Sequence, residues 1–166
     1  MSEHNPYGSP EAVVADVSAT DLAGRGERFG AAIIDTIILL VIVLPLMVLG
    51  GYWETAMAAA GEVPLLTTLL WAAIGFAVFV VVQWIPLNAS GQTWGKRMLG
   101  IRIVDMDGEK PPIGRLIALR YLPVQVATNV PVVGLLLATV NVLLIFRSDR
   151  RCGHDLIAGT RVVKAG

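Results

Sequence analysis

Residues 29–49, FGAAIIDTIILLVIVLPLMVL, form a long apolar run broken by one charged residue, Asp35. At about 1.5 Å per helical residue the run measures roughly 31 Å, the thickness of a bilayer's hydrocarbon core. Asp35 would then lie about 9 Å inside one interface. An acid in a membrane helix costs on the order of 2.5–3.5 kcal/mol on insertion scales, so it needs a partner or a purpose. Either it belongs to an ion pair that fixes helix packing, or it binds a proton or a cation.

Composition agrees with a membrane chain. Apolar residues make up 55% of the 166, with mean hydropathy +0.67, more than an ordinary soluble domain carries. The net charge is zero, but its distribution is uneven. No Lys or Arg falls between Phe29 and Gly95, whereas Lys96, Arg97, Arg102, Lys110, Arg115 and Arg120 follow closely, and Arg147, Arg150, Arg151, Arg161 and Lys164 end the chain. Such segregation is expected of basic loops on one side of a membrane. Residues 1–24 are acidic and rich in Gly, Pro and Ser, with no basic start or early apolar stretch. They read as a disordered tail and not as a signal peptide, leaving 25–166 as the membrane domain. Cys152 is the only cysteine, so no internal disulfide can form.

Residues 63–87 make the second span, joined to the first by a short connection without Lys or Arg, in which Tyr52 and Trp53 suit an interface. Pro45 marks an expected kink late in the first. Residues 88–112 are polar and must leave the bilayer. Within them LGIRIVD, 99–105, alternates apolar and polar side chains and leads to the turn signal Asp107-Gly108. TRVVK, 160–164, alternates in the same way and could pair with it as a second strand. The apolar stretch 113–146 admits one long span or two short helices broken near Asn129-Val130-Pro131. With Arg25 and Arg28 inside, a single third span would put the last basic cluster outside. Helices over 113–129 and 131–146 return it inside, although each is only about 24–26 Å long. They would thin the bilayer or form a re-entrant hairpin.

Three groups of residues, in this order, resemble the RDD family of bacterial membrane proteins. They are Arg28-Phe29 with Ile34-Asp35; Gly91-Gln92-Thr93 with Gly95-Lys96-Arg97 and Leu99-Gly100; and Arg151, His154-Asp155, Gly159-Thr160 and Val162-Val163. The resemblance covers residues 22–163. It implies that Arg28 is the Arg of the family's name, and Asp35 and Asp155 the two Asp. Trp94 departs from it, since the family often has Pro there. Cation–proton antiport has been suggested for some members.

The expected fold is therefore an all-α, multi-pass transmembrane bundle, two spans plus two short helices, with a small cytoplasmic β-like loop. Depth in the membrane points to Arg120 as the partner of Asp35 and to Asp155 as the partner of Arg28. The loop of Gly91, Thr93, Gly95, Lys96 and Arg97 has three residues between its glycines and Arg after Lys, where a phosphate-binding P-loop has four and Ser or Thr. A turn facing anionic lipid headgroups fits better. His4, the other histidine, sits in the tail, so His154-Asp155 does not predict a metal centre, and no nucleophile–base set predicts an enzyme. Gln125, Asn129 and Asn141 read as helix-to-helix contacts. No cofactor and no nucleic acid is expected. The expected partners are the bilayer, its anionic headgroups, and either a second copy or another membrane protein. Functionally the sequence favours a non-catalytic inner-membrane subunit or assembly factor with both termini cytoplasmic. A proton-coupled cation transporter using Asp35 is the alternative.

Overall fold

The computed structural model describes residues 21–129 and 133–166. Residues 1–20, most of the expected tail, and the expected break at Val130-Pro131 lie outside them. The chain is mostly helical. Helix α1 (Arg25–Leu49) begins where the Glu27 carboxylate accepts the Gly24 N–H at 2.6 Å, satisfying one of the free donors at a helix start. It continues through Pro45 to Leu49. The connection that follows contains a short helix, α2 (Tyr52–Ala58). Helix α3 (Leu65–Ser90) then returns. Both α1 and α3 are long and apolar enough to cross a membrane, with mean hydropathies of 2.9 and 2.5, and their apolar stretches remain exposed. Among the described residues nothing covers side chains such as Val41 and Leu66, as expected of surfaces facing lipid.

At the end of α3 the chain turns back against α1. The turn depends on Gly91, whose positive φ of 67° closes the helix while its N–H donates to Leu87 O at 3.0 Å. A five-residue helix, α4 (Trp94–Met98), follows. Next comes β1 (Ile101–Asp105), which pairs antiparallel with β2 (Thr160–Lys164) from the far end of the chain. The alternating segments thus pair as strands, with Ile103 opposite Val162. Residues placed in the tail by composition extend this sheet: Ala23 N donates to Val162 O, and Lys164 N to Asp21 O. The folded unit therefore begins by Asp21, ahead of the expected boundary at 24/25, because β2 offers a free edge that this segment satisfies.

Between the strands lies the ambiguous apolar stretch. It forms α5 (Ile113–Arg115), a wider π-helical turn (Leu116–Tyr121) and α6 (Leu122–Thr128), followed by α7 (Val133–Leu143) and a short 3-10 turn (Leu144–Phe146). Two short helical segments, not one long one, occupy this region. A Cβ on Gly134 would fall 2.5 Å from Ala127 O, so α7 packs closely against the end of α6. Helix α8 (Gly153–Ala158) leads into β2. The tightly packed core is small and sits at one end of the long helices. There Ala31, Leu87 and Leu116 meet Ile101, Ile103 and Val162 of the sheet.

A Cβ on Gly91 would also approach Ile103 O to 2.8 Å. Gly91→Ala should therefore cost about 1–2 kcal/mol from the left-handed backbone alone, read as a lower melting temperature in detergent. Wild-type stability would show that this turn does not hold α4 and β1 in place.

Candidate functional site

Two carboxylates organise the end of the bundle, and their partners differ in kind. Asp35, buried on α1, accepts hydrogen bonds from neutral groups. Gln83 Nε2 donates at 3.0 Å, Gly95 N at 2.8 Å and the Thr93 hydroxyl at 2.5 Å. Gln83 Oε1 in turn accepts the Trp94 N–H at 2.9 Å, a donor that proline at this position would lack. The carboxylate thus sits at the start of α4, where free N–H groups and the helix dipole favour a negative charge. Gly95 is needed for this approach, because a Cβ there would lie 2.2 Å from Ala31 O.

Asp155, fully buried on α8, is held between two guanidinium groups. Arg28 of α1 pairs with its Oδ2 and Arg120 of the π turn with its Oδ1. Cys152 N also donates to Oδ2 at 3.0 Å, and Thr160 supplies a hydroxyl to Arg120 Nη1 at 2.6 Å. The second Arg28 nitrogen reaches Arg150 O. Three distant parts of the chain are joined at one carboxylate. Burial alone would raise the Asp155 pKa, but Arg120, His154 and Arg28 hold it well below the usual carboxylate range.

One expected pairing is corrected. Arg120 does not pair with Asp35; its guanidinium pairs with Asp155. Depth along a helix does not specify direction, and the start of α4 fills the space beside Asp35 with N–H and hydroxyl donors. Arg28, by contrast, does meet Asp155. Lys96, expected at the headgroup surface, is half-buried and turned inward, with Nζ 3.4 Å from the Thr93 hydroxyl that binds Asp35. Loss of hydration and then Arg120 pull its pKa down to about 8. Arg97 does face outward. Gln83 carries much of the network yet has no sequence signal beyond being polar within an apolar stretch, and Thr160, part of the Gly159-Thr160 motif, has a role there that the motif does not specify.

Of the three amides, Gln125 donates to Ala72 O of α3 at 3.3 Å, while Asn129 bonds within its own helix. Asn141 of α7 accepts the His154 N–H at 2.9 Å, and the ring Nδ1 lies at the same distance. The amide oxygen therefore places the neutral ring's proton on Nδ1. Burial, with Arg120 nearby, pushes the His154 pKa down to about 3. Cys152, His154 and Asp155 bring potential metal-ligating atoms within 4.8 Å of one another. Both Asp155 oxygens are occupied by arginines, however, whose charges oppose a cation.

A family model described as the RDD family matches residues 22–159. The chain belongs to the RDD family. The matched span includes both carboxylates and Arg28, Lys96 and Arg120. A relative in Bacillus subtilis (strain 168), "Uncharacterized protein YckC", is 35% identical over 145 residues, 86% of this chain and 85% of its own. An "Uncharacterized protein" of Haemophilus influenzae is 30% identical over 92 residues, 55% of this chain and 56% of its own. No solved structure gives a significant match. RDD membership and the two apolar helices together point to a membrane protein.

Removing the Asp155 charge leaves two buried guanidinium groups without their counterion, so Asp155→Asn should cost about 3–5 kcal/mol. Asp35→Asn keeps an oxygen for Gln83 and Gly95, and the Thr93 hydroxyl can turn to accept. Its cost should be only about 1–2 kcal/mol. Equal losses in thermal or denaturant unfolding would refute this ranking.

Acid should act through His154. Its folded pKa of about 3 lies below its ordinary 6.5, so the unfolded chain binds the proton first and stability falls as pH drops from 6.5 toward 3. Asp155 adds a further loss below its ordinary 3.8. His154→Gln should flatten the fall in melting temperature between about pH 6.5 and 4; an unchanged slope would exclude His154 as its source.

Proposed function

We propose that this RDD protein is a non-catalytic subunit or assembly factor of the bacterial inner membrane. Its buried charges lock a small folded cap onto membrane-crossing helices. The observation that carries this reading is the saturation of Asp35. Three neutral donors converge on its two oxygens and tie α1 to α3 and α4. A cation bound by this carboxylate would have to draw at least one oxygen away from those donors, at a cost of about 1–3 kcal/mol for each unsatisfied group. Nearby Lys96, Arg28 and Arg120 would also repel the cation.

In this proposal both termini and the sheet are cytoplasmic, and α5 to α7 form a re-entrant pair. Support comes from the basic residues that cluster around the cap, including exposed Arg97, Arg102 and Lys110, which suit anionic headgroups. The exposed apolar faces of the helices would meet lipid, a second copy or another membrane protein.

Two measurements test this. Proteoliposomes containing the purified chain should show no cation-driven proton movement above empty vesicles, and Asp35→Asn should change nothing; flux abolished by Asp35→Asn would overturn the proposal. In intact cells, a cysteine at exposed Lys110 should be shielded from an impermeant thiol reagent added outside, and one at exposed Glu54 should react. The reverse pattern would invert the topology. Native Cys152 is buried and should stay silent in both cases.

A further inference from the structure

Between α1, α3, the π turn and α7 lies a cavity of about 690 Å³, within the range of small-molecule sites. Its walls are hydrocarbon, from Leu39, Phe76, Phe79, Val124, Val142 and Ile145. Its polar end is cationic. Arg28, Lys96 and Arg120 line it, with Arg25 also on the lining, and Asp35 is the one carboxylate there. Asp155 is shared by Arg28 and Arg120, and Asp35 is saturated by neutral donors, so Arg28, Lys96 and Arg120 exceed the two carboxylates by one charge, to which exposed Arg25 adds. Donors remain. Arg120 Nε is buried and finds no hydrogen-bond partner among the described residues. The Lys96 ammonium has one long contact, to a hydroxyl already engaged with Asp35.

A surplus of cationic donors at the end of an apolar chamber is unfavourable for a metal cation and poorly matched to a neutral lipid. A free inorganic anion would use the donors and leave the walls uncovered. We propose that this cavity binds an amphipathic anion, with a phosphate or carboxylate head on Lys96 and Arg120 and a single hydrocarbon chain against Phe76, Phe79 and Val124. The head forms charge-assisted hydrogen bonds with donors that otherwise lack good acceptors, and the tail covers apolar surface. This goes beyond the scaffold reading, which requires no ligand, and it can fail or succeed on the isolated chain whether or not a partner subunit exists.

The test uses the full chain in phosphatidylcholine nanodiscs, titrated with oleoyl lysophosphatidic acid, oleate, mono-oleoylglycerol and inorganic phosphate. Binding is read by native mass spectrometry and thermal shift. Lysophosphatidic acid, oleate or both should bind one per chain and raise the melting temperature, and whichever binds tighter identifies the head as phosphate or carboxylate. Lys96→Gln should weaken that binding about tenfold or more, the loss expected for a charge-assisted hydrogen bond. Val124→Trp should fill the apolar end and abolish it with every charge in place. Val124→Trp and the comparison of ligands on wild type remain decisive if Lys96→Gln folds poorly. Equal binding of mono-oleoylglycerol, equal binding of inorganic phosphate, no binding of either anionic amphiphile, or tight binding that survives Val124→Trp would each overturn the proposal.

Discussion

Two guanidinium groups and a carboxylate cannot be withdrawn from water separately without a penalty of several kcal/mol per ion, which makes the Arg28–Asp155–Arg120 cluster an all-or-none contact. Each member comes from a different part of the chain: the start of the first long helix, the π turn of the third apolar stretch, and the short helix before the last strand. None of these segments could bury its charge alone. Their meeting places β2 next to β1 and holds the sheet against the ends of α1 and α3. The apolar core there is small, with seven buried side chains among the described residues.

Asp35 solves a related problem by other means. Among the described residues no cation pairs with it directly; the chain leaves α3 at Gly91, doubles back, and presents the Gly95 N–H of α4 to the carboxylate. Irregular backbone beside a membrane helix is tolerable only where protein surrounds it, and Gly95 lets that backbone come close enough. The acid of the first long helix is enclosed by polar protein groups. Its charge then balances the inward-turned Lys96 through the Thr93 hydroxyl. One consequence is that Arg28, Lys96 and Arg120 together carry one more charge than Asp35 and Asp155 neutralise at the neighbouring cavity.

Much of this was legible in the sequence. Hydropathy located both long helices, alternation located both strands, and the basic clusters marked the capped end. The expected break at Val130-Pro131 lies outside the described residues, but short helical segments do stand on either side of it. Direction was not legible. Residue spacing gives depth along a helix but not which neighbour a long arginine reaches, so Arg120 was matched to the wrong acid. Lys96 looked like a headgroup ligand because a loop lysine beside Arg97 normally points to solvent; only the packing of α4 on α1 turns it inward. Residues 21–23 resembled the tail in composition, and their strand-like pairing depends on an edge supplied by the other end of the chain.

The central claim is that Arg120 belongs electrostatically to Asp155 and not to Asp35. Double-mutant cycles on purified protein test it most directly, comparing Arg120→Gln with Asp155→Asn and Arg120→Gln with Asp35→Asn by denaturant unfolding. The expected coupling is at the upper end of the usual range, about 2–3 kcal/mol, for Arg120 with Asp155, and under about 0.5 kcal/mol for Arg120 with Asp35. The opposite ordering would contradict it.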